Sequence, residues 1–206
     1  FAWPFSTWGI FTWAQQASDR WALQVFATIE EVGVFAVLFQ LGYAPIIMLS
    51  GLISGFLTPI FFNRAGDATN ETRIMSVHRI NLLVSYVLLI LSTIAFFITW
   101  WLHSFIFSIF VSSEFHGNSY LLPWFVLAAG LFSTGQMLVL KILSEVSTRT
   151  LLTIKIGTAL LGVMLNILGA WVAGINGVVA ALLIFSAIYA LGMMWLTYSP
   201  KSATLS

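Results

Sequence analysis

Asp19 and Arg20 stand side by side among apolar and amide residues, and they are the residues of this chain best suited to chemistry. Thr12, Gln16, Arg20 and Gln24 recur at four-residue spacing, with Gln15 and Asp19 beside them. On a helix that spacing returns to the same side at each turn, so the six residues form a polar arc of about half the circumference. Ile10, Ala14, Ala17, Trp21 and Val25 share the opposite side, and Trp13, Leu23 and Phe26 interrupt the arc. A guanidinium presents a planar fork of donors that matches a phosphate or carboxylate at two points. Amides, a hydroxyl and one guanidinium in a row therefore suit an anionic group carried on a hydrogen-bonding body. The same pair also has a structural reading, in which Asp19 and Arg20 bind each other or a neighbouring helix.

No other pattern in the chain competes. There is no Cys, so disulfides and thiolate metal sites are excluded. His78, His103 and His116 have no ligand spacing, and no phosphate-binding glycine loop, pair of carboxylates inside a membrane run or nucleophile with its base is present. That absence argues against an energy-transducing ATPase and, more weakly, against an intramembrane hydrolase; the expectation is a protein that is not an enzyme, with no catalytic residue, metal, cofactor or nucleic acid partner.

The elements that must hold the polar arc are membrane helices. The chain of 206 residues is 60% hydrophobic and 7% charged, with a mean hydropathy of +0.99. Soluble domains carry about 25% charged residues, which excludes a water-soluble fold. Apolar runs at 1–27, 32–62, 80–102, 119–140, 151–172 and 176–198 each reach the roughly 20 residues needed to cross a bilayer. Strict alternation is absent, so the runs are helices and not barrel strands. The expected fold is an all-α integral membrane protein with six transmembrane helices.

Seven of the eight Lys and Arg residues lie in every second gap or in the turn beside it. They are Arg64, Arg73 and Arg79, then Lys141, Arg149 and Lys155, then Lys201 in the tail. The gaps at 28–31, 103–118 and 173–175 hold Glu30, Glu31 and Glu114 but no base. Basic loops face the cytoplasm, so the C-terminus is expected there, in a multi-pass protein of the plasma membrane. Arg20 is the one base that breaks this rule. It lies 7–8 residues before the end of its run, about 10–12 Å below it at 1.5 Å per residue. Charges at such depth face a cavity or a partner rather than lipid.

Finer expectations follow. Trp100, Trp101, Trp124 and Trp171 mark the outer interface and Trp195 the inner one. Gly42, Pro45 and Pro59 kink the long second helix, and Gly51 with Gly55 admits a close neighbour. The segment 104–111 lies along the outer surface, the connector 63–79 with Asp67 and Glu71 is solvated, and Lys155 snorkels to the inner interface. Asn166 and Gln136 make hydrogen bonds between helices. Because the chain opens at Phe1 inside an apolar run, it reads as a piece of a longer polypeptide.

With these residues in view, the chain resembles the polysaccharide (O-antigen) flippases of the multidrug/oligosaccharidyl-lipid/polysaccharide exporter superfamily, proteins of lipopolysaccharide biosynthesis. The likeness runs through Ser18-Asp19-Arg20-Trp21, Glu31-Val32-Gly33-Val34-Phe35-Ala36 and Gln40-Leu41-Gly42-Tyr43-Ala44-Pro45. It continues in Pro59-Ile60-Phe61, Arg64-Ala65-Gly66-Asp67-Ala68, Ile109-Phe110-Val111-Ser112-Ser113-Glu114-Phe115 and Leu121-Leu122-Pro123-Trp124. It spans most of the chain and is densest in 15–70. The resemblance implies the C-terminal lobe of a two-lobe bundle, with the N-terminal lobe as its partner beyond this chain. It implies a lipid-linked oligosaccharide substrate, carried on undecaprenyl diphosphate across the bacterial inner membrane by alternating access among membrane lipids. Asp19, Arg20, Gln16, Gln24 and Thr12 would then line the cavity, with Arg20 on the diphosphate. The same superfamily offers a drug/cation antiporter as the rival, with Asp19 as its carboxylate. A membrane polymerase or ligase of polysaccharide assembly is the more distant one, because 103–118 lacks basic residues.

Overall fold

The computed structural model describes the backbone of residues 3–65, 71–145 and 148–198, and the side chains of 10–11, 13–61, 79–140 and 153–198. The connector 66–70 with Asp67 and the tail with Lys201 lie outside the described residues, as do the side chains of Arg64, Glu71, Arg73, Lys141 and Arg149. Every described element is helical. The order is α1 (Trp3–Phe26), α2 (Ile29–Leu38), a π-helical turn (Phe39–Tyr43), α3 (Ala44–Ala65), α4 (Glu71–Phe110), a 3-10 helix (Ser113–Leu121), α5 (Leu122–Glu145) and α6 (Thr148–Tyr198).

Four segments among the described residues are long and apolar enough to cross a membrane: Ile29–Phe61, Arg79–Phe110, Ser113–Leu140 and Thr153–Tyr198. The burial of their apolar stretches differs sharply, at 78% for the segment that contains α5 and 17% for the one within α4. α5 is therefore the central rod, and α4 lies on the periphery with Ile90, Leu91, Phe97 and Ile98 exposed. Ser and Thr inside the apolar rods return their hydroxyls to the preceding turn. Thr58 donates to the Ser54 carbonyl at 2.7 Å, Ser92 to Leu88 at 2.7 Å and Thr99 to Ala95 at 2.8 Å. Such back-bonding satisfies the hydroxyl where no water is at hand.

The last long helix is folded back on itself. Ala173 (φ −143°, ψ 21°) and Gly174 (φ 54°, ψ −133°) leave the helical region, dividing α6 into legs at 148–172 and 175–198. Gly174 takes a positive φ that only glycine holds without strain. Past the turn the legs touch backbone to backbone, because a Cβ built at Gly177 would overlap the Gly169 carbonyl. The base-free gap expected at 173–175 is this turn.

The ends of the rods on this side are tied together. Thr28 caps α2, and its backbone N–H donates to Glu31 Oε2 at 3.1 Å while its hydroxyl accepts from the Glu31 N–H at 3.3 Å. This is the reciprocal capping box that Thr-x-x-Glu encodes. The other Glu31 oxygen accepts the Ile175 N–H at 3.1 Å, so one carboxylate caps two helix starts. Tyr120 donates to Asn176 Oδ1 at 2.8 Å, and His103 Nδ1 lies 3.0 Å from Ser119 Oγ. Trp100 and Trp124, both expected at the outer interface, meet edge to face at 5.6 Å.

Two expectations are corrected. The segment 104–111 is not a separate surface piece, since α4 continues through Phe110; between Ile80 and Phe110 there is no Gly or Pro to stop it. Among the described residues no helix packs on Gly51 or Gly55, because a Cβ at either would meet nothing within 4 Å.

Closing the α6 hairpin depends on the bare backbone at Gly177. Gly177→Leu is expected to cost at least about 1–3 kcal/mol, the range for overfilling a packed contact. Gly157→Ala, at a site open on all sides, should be neutral or slightly stabilising. Thermal unfolding of both variants in the same detergent checks this; equal midpoints would contradict the packed hairpin.

Candidate functional site

α1 carries the residues singled out in the sequence, and packing splits them into two sets. Gln15, Ser18 and Asp19 are buried, at 6%, 6% and 4% exposure. Gln16, Arg20 and Gln24 are exposed. Thr12 lies on the same helix, with its side chain outside those described. The single polar arc expected from the spacing is thus two stripes. One faces into the bundle, and the other faces out beside Trp13 and Trp21, which meet edge to face at 5.3 Å.

The inward stripe joins α1 to the first leg of α6. Asn166 Nδ2 donates to Ser18 Oγ at 2.8 Å, and Ser18 Oγ donates to the Gln15 carbonyl at 2.7 Å. Asn166 therefore makes the interhelical bond expected of it. Asp19 Oδ1 accepts the Arg20 backbone N–H at 2.6 Å. Among the described residues no ion pair joins the Asp19 carboxylate to the Arg20 guanidinium. The guanidinium carbon instead sits 5.5 Å from the centroid of the Phe39 ring, within the range of a cation–π contact.

Phe39 opens the π-turn, the feature of the site that the sequence pattern did not reveal in kind. The Ala44 N–H reaches back to the Phe39 carbonyl, one residue further than in an α-helix. Pro45 follows and has no N–H to return to the turn behind it, which loosens the ladder at this point. Gly42 lets the widened turn press on α5, since a Cβ there would lie 2.9 Å from Phe125 Cβ and 3.1 Å from Leu122 Cδ1. Gly42 and Pro45 signalled a kink, and the kink takes the form of this turn. Such turns recur at functional positions in helices. Tyr43, at its other end, is buried and within electrostatic range of Asp19.

From the turn a series of rings crosses the interior. Phe39 stacks on Tyr43 at 4.9 Å, Tyr43 lies 6.5 Å from Phe132, and Phe132 lies 5.1 Å from Tyr189. Tyr189 donates to Gln136 Oε1 at 3.1 Å, the interhelical bond expected of Gln136. Beside it is a cavity of about 20 Å³ lined by Gln15, Gln136, Lys155, Thr158 and Tyr189 among others. Lys155 is 8% exposed, so it does not snorkel to the interface; it is enclosed by the rods that line this cavity. At the capped end of the rods, a larger cavity of about 230 Å³ is lined by Glu30, Glu31, Glu114 and Asn118 with apolar neighbours.

Among the described residues no group of three or more His, Asp or Glu could hold a metal ion. The outward stripe offers a guanidinium and amides to a ligand; the inward stripe offers one carboxylate enclosed by the bundle. Compared with family models, curated proteins and solved structures, the chain matches none.

The Ser18–Asn166 bond is a polar tie between α1 and α6. Asn166→Ala is expected to lower stability by about 1–2 kcal/mol, from the lost bond and the space it leaves. Thermal unfolding measures it, and an unchanged midpoint would show that α1 is held by apolar contacts alone.

Proposed function

We propose that the chain is a six-helix lobe of a flippase that moves undecaprenyl-diphosphate-linked oligosaccharide repeat units across the bacterial inner membrane. The six crossings in this reading are α1, the rod from α2 through α3, α4, α5 and the two legs of α6. The basic connectors and the C-terminus lie in the cytoplasm. A second lobe packs across a central cavity from α1, and alternating access moves the substrate to the outer leaflet for polysaccharide and lipopolysaccharide assembly. No covalent step is involved.

The observation that carries this reading is the exposure of Arg20 together with Gln16 and Gln24 on α1, while the neighbouring carboxylate is enclosed. An exposed guanidinium at membrane depth is too costly to leave against hydrocarbon, by at least about 2.5–3.5 kcal/mol. A water-filled cavity removes that cost, and a forked donor in it suits a diphosphate. The resemblance in residues 15–70 supports the same assignment. The enclosure of Asp19 favours one second reading, a drug/cation antiporter that uses this carboxylate for ion exchange.

Deletion of the gene, followed by mass spectrometry of lipid-linked repeat units, tests the two readings. The flippase reading expects single repeat units to accumulate on the inner leaflet while surface polysaccharide falls. It expects rescue by wild type, and loss of at least about 90% of the rescue with Arg20→Ala at equal protein level; the removal of a charged hydrogen bond of about 1.5–3 kcal/mol is of that order. Unchanged lipid pools with greater drug sensitivity would favour the antiporter. Full rescue by Arg20→Ala would remove Arg20 from the substrate path.

A further inference from the structure

We infer that Phe39 is a positioning residue: held beneath Arg20 by the π-turn, it fixes the guanidinium plane so that its donor edge meets an anionic oxygen pair. The inference rests on the reading that Arg20 contacts the substrate's anionic group, and it adds the residue through which that contact is set.

Three observations converge on it. The guanidinium carbon lies 5.5 Å from the Phe39 centroid, and among the described residues no carboxylate forms an ion pair with it, Asp19 attracting it only from a distance. Phe39 does not stand freely, because its ring stacks on Tyr43 at 4.9 Å with planes 26° apart and on Phe35 at 6.2 Å with planes 29° apart. Tyr43 and Phe35 are themselves buried, at 8% and 0% exposure. The ring beneath Arg20 is thus braced from both sides by side chains anchored in the core.

The π-turn is what brings this about. An arginine side chain has several free torsions, and an unsupported one loses that freedom on meeting a ligand, which weakens binding. An aromatic face attracts the cation with its negative quadrupole and leaves the N–H edge unobstructed. The five-residue turn Phe39–Tyr43 sets two rings in parallel contact, with Gly42 against α5 and Pro45 blocking the return to a tight ladder. Phe39 therefore selects for a planar, forked approach of two oxygens, as a phosphoryl group offers. It does not touch the ligand in this scheme; it acts through Arg20.

The test replaces Phe39 with mono-, di- and trifluorophenylalanine in the full-length polypeptide. Fluorination withdraws charge from the ring face with little change of shape. Transport of undecaprenyl-diphosphate-linked oligosaccharide is then measured in proteoliposomes. The inference expects KM to rise stepwise with each added fluorine, reaching roughly tenfold, with the maximal rate and the thermal midpoint unchanged. Phe39→Leu should match the trifluoro variant, and Phe39→Trp should restore the wild-type KM. A flat KM across the fluorinated series overturns the inference, even where Arg20→Ala abolishes transport. Normal transport by Arg20→Ala would instead sink the reading beneath it. A fall in maximal rate and midpoint together, without a KM trend, would assign Phe39 a structural role and also overturn the inference.

Discussion

Adjacent residues on an α-helix point about 100° apart, and the site follows from that. Asp19 and Arg20 cannot both enter the same crevice. Asp19 is enclosed by the bundle, with one oxygen on the backbone N–H of its neighbour, and Arg20 is thereby directed outwards. In the proposed arrangement, where α1 crosses the membrane, an outward arginine needs water, a polar ligand or an aromatic face. The Phe39 ring supplies the third, and the chain reserves a π-turn to supply it. Gln16 and Gln24, one turn to each side of Arg20, share its exposure and continue the polar stripe along α1.

The rest of the fold holds that geometry in place. α5 forms the core against which the π-turn presses at Phe125 and Leu122. The first leg of α6 grips α1 through Asn166 and Ser18. On the side of the 173–175 turn, Glu31 caps α2 with one oxygen and the second leg of α6 with the other. A helix start carries unpaired N–H groups and partial positive charge, so one buttressed carboxylate can fasten two of them. The link is polar, set by Thr28-x-x-Glu31, and it joins helix starts whose apolar residues Val34, Phe35, Ile175 and Val178 share the core.

Much of this was legible in the sequence, and the remainder was hidden for physical reasons. The apolar runs marked membrane-length segments, and the base-free gap at 173–175 fell on the α6 turn, though the part Gly174 plays there emerged only with its positive φ. The run at 80–102 was set too short because apolar composition alone does not end a helix; a breaker does, and none occurs before Phe110. The polar arc on α1 was correct in spacing and wrong in unity. Spacing places residues on a wheel, but only the neighbours decide which part of the wheel is covered. Lys155 was misplaced for the same reason, because a lysine one turn inside a helix end can reach the interface or be enclosed, and Gln15, Gln136 and Tyr189 belong to other rods. Pro45 and Gly42 announced a disturbance without announcing its type, since the same pair serves an open kink or a π-turn.

The flippase reading requires the outward stripe of α1 to face water at membrane depth. The chain has no native cysteine, so single cysteines can be placed at Gln16, Arg20 and Gln24, and at Leu52 and Leu91 as exposed apolar positions. Labelling in intact membranes with a small, charged, water-soluble thiol reagent then reads accessibility directly. Labelling is expected at Gln16→Cys, Arg20→Cys and Gln24→Cys, and not at Leu52→Cys or Leu91→Cys. Equal protection of all five positions would contradict it, because α1 would then face lipid or a sealed protein interface rather than a cavity.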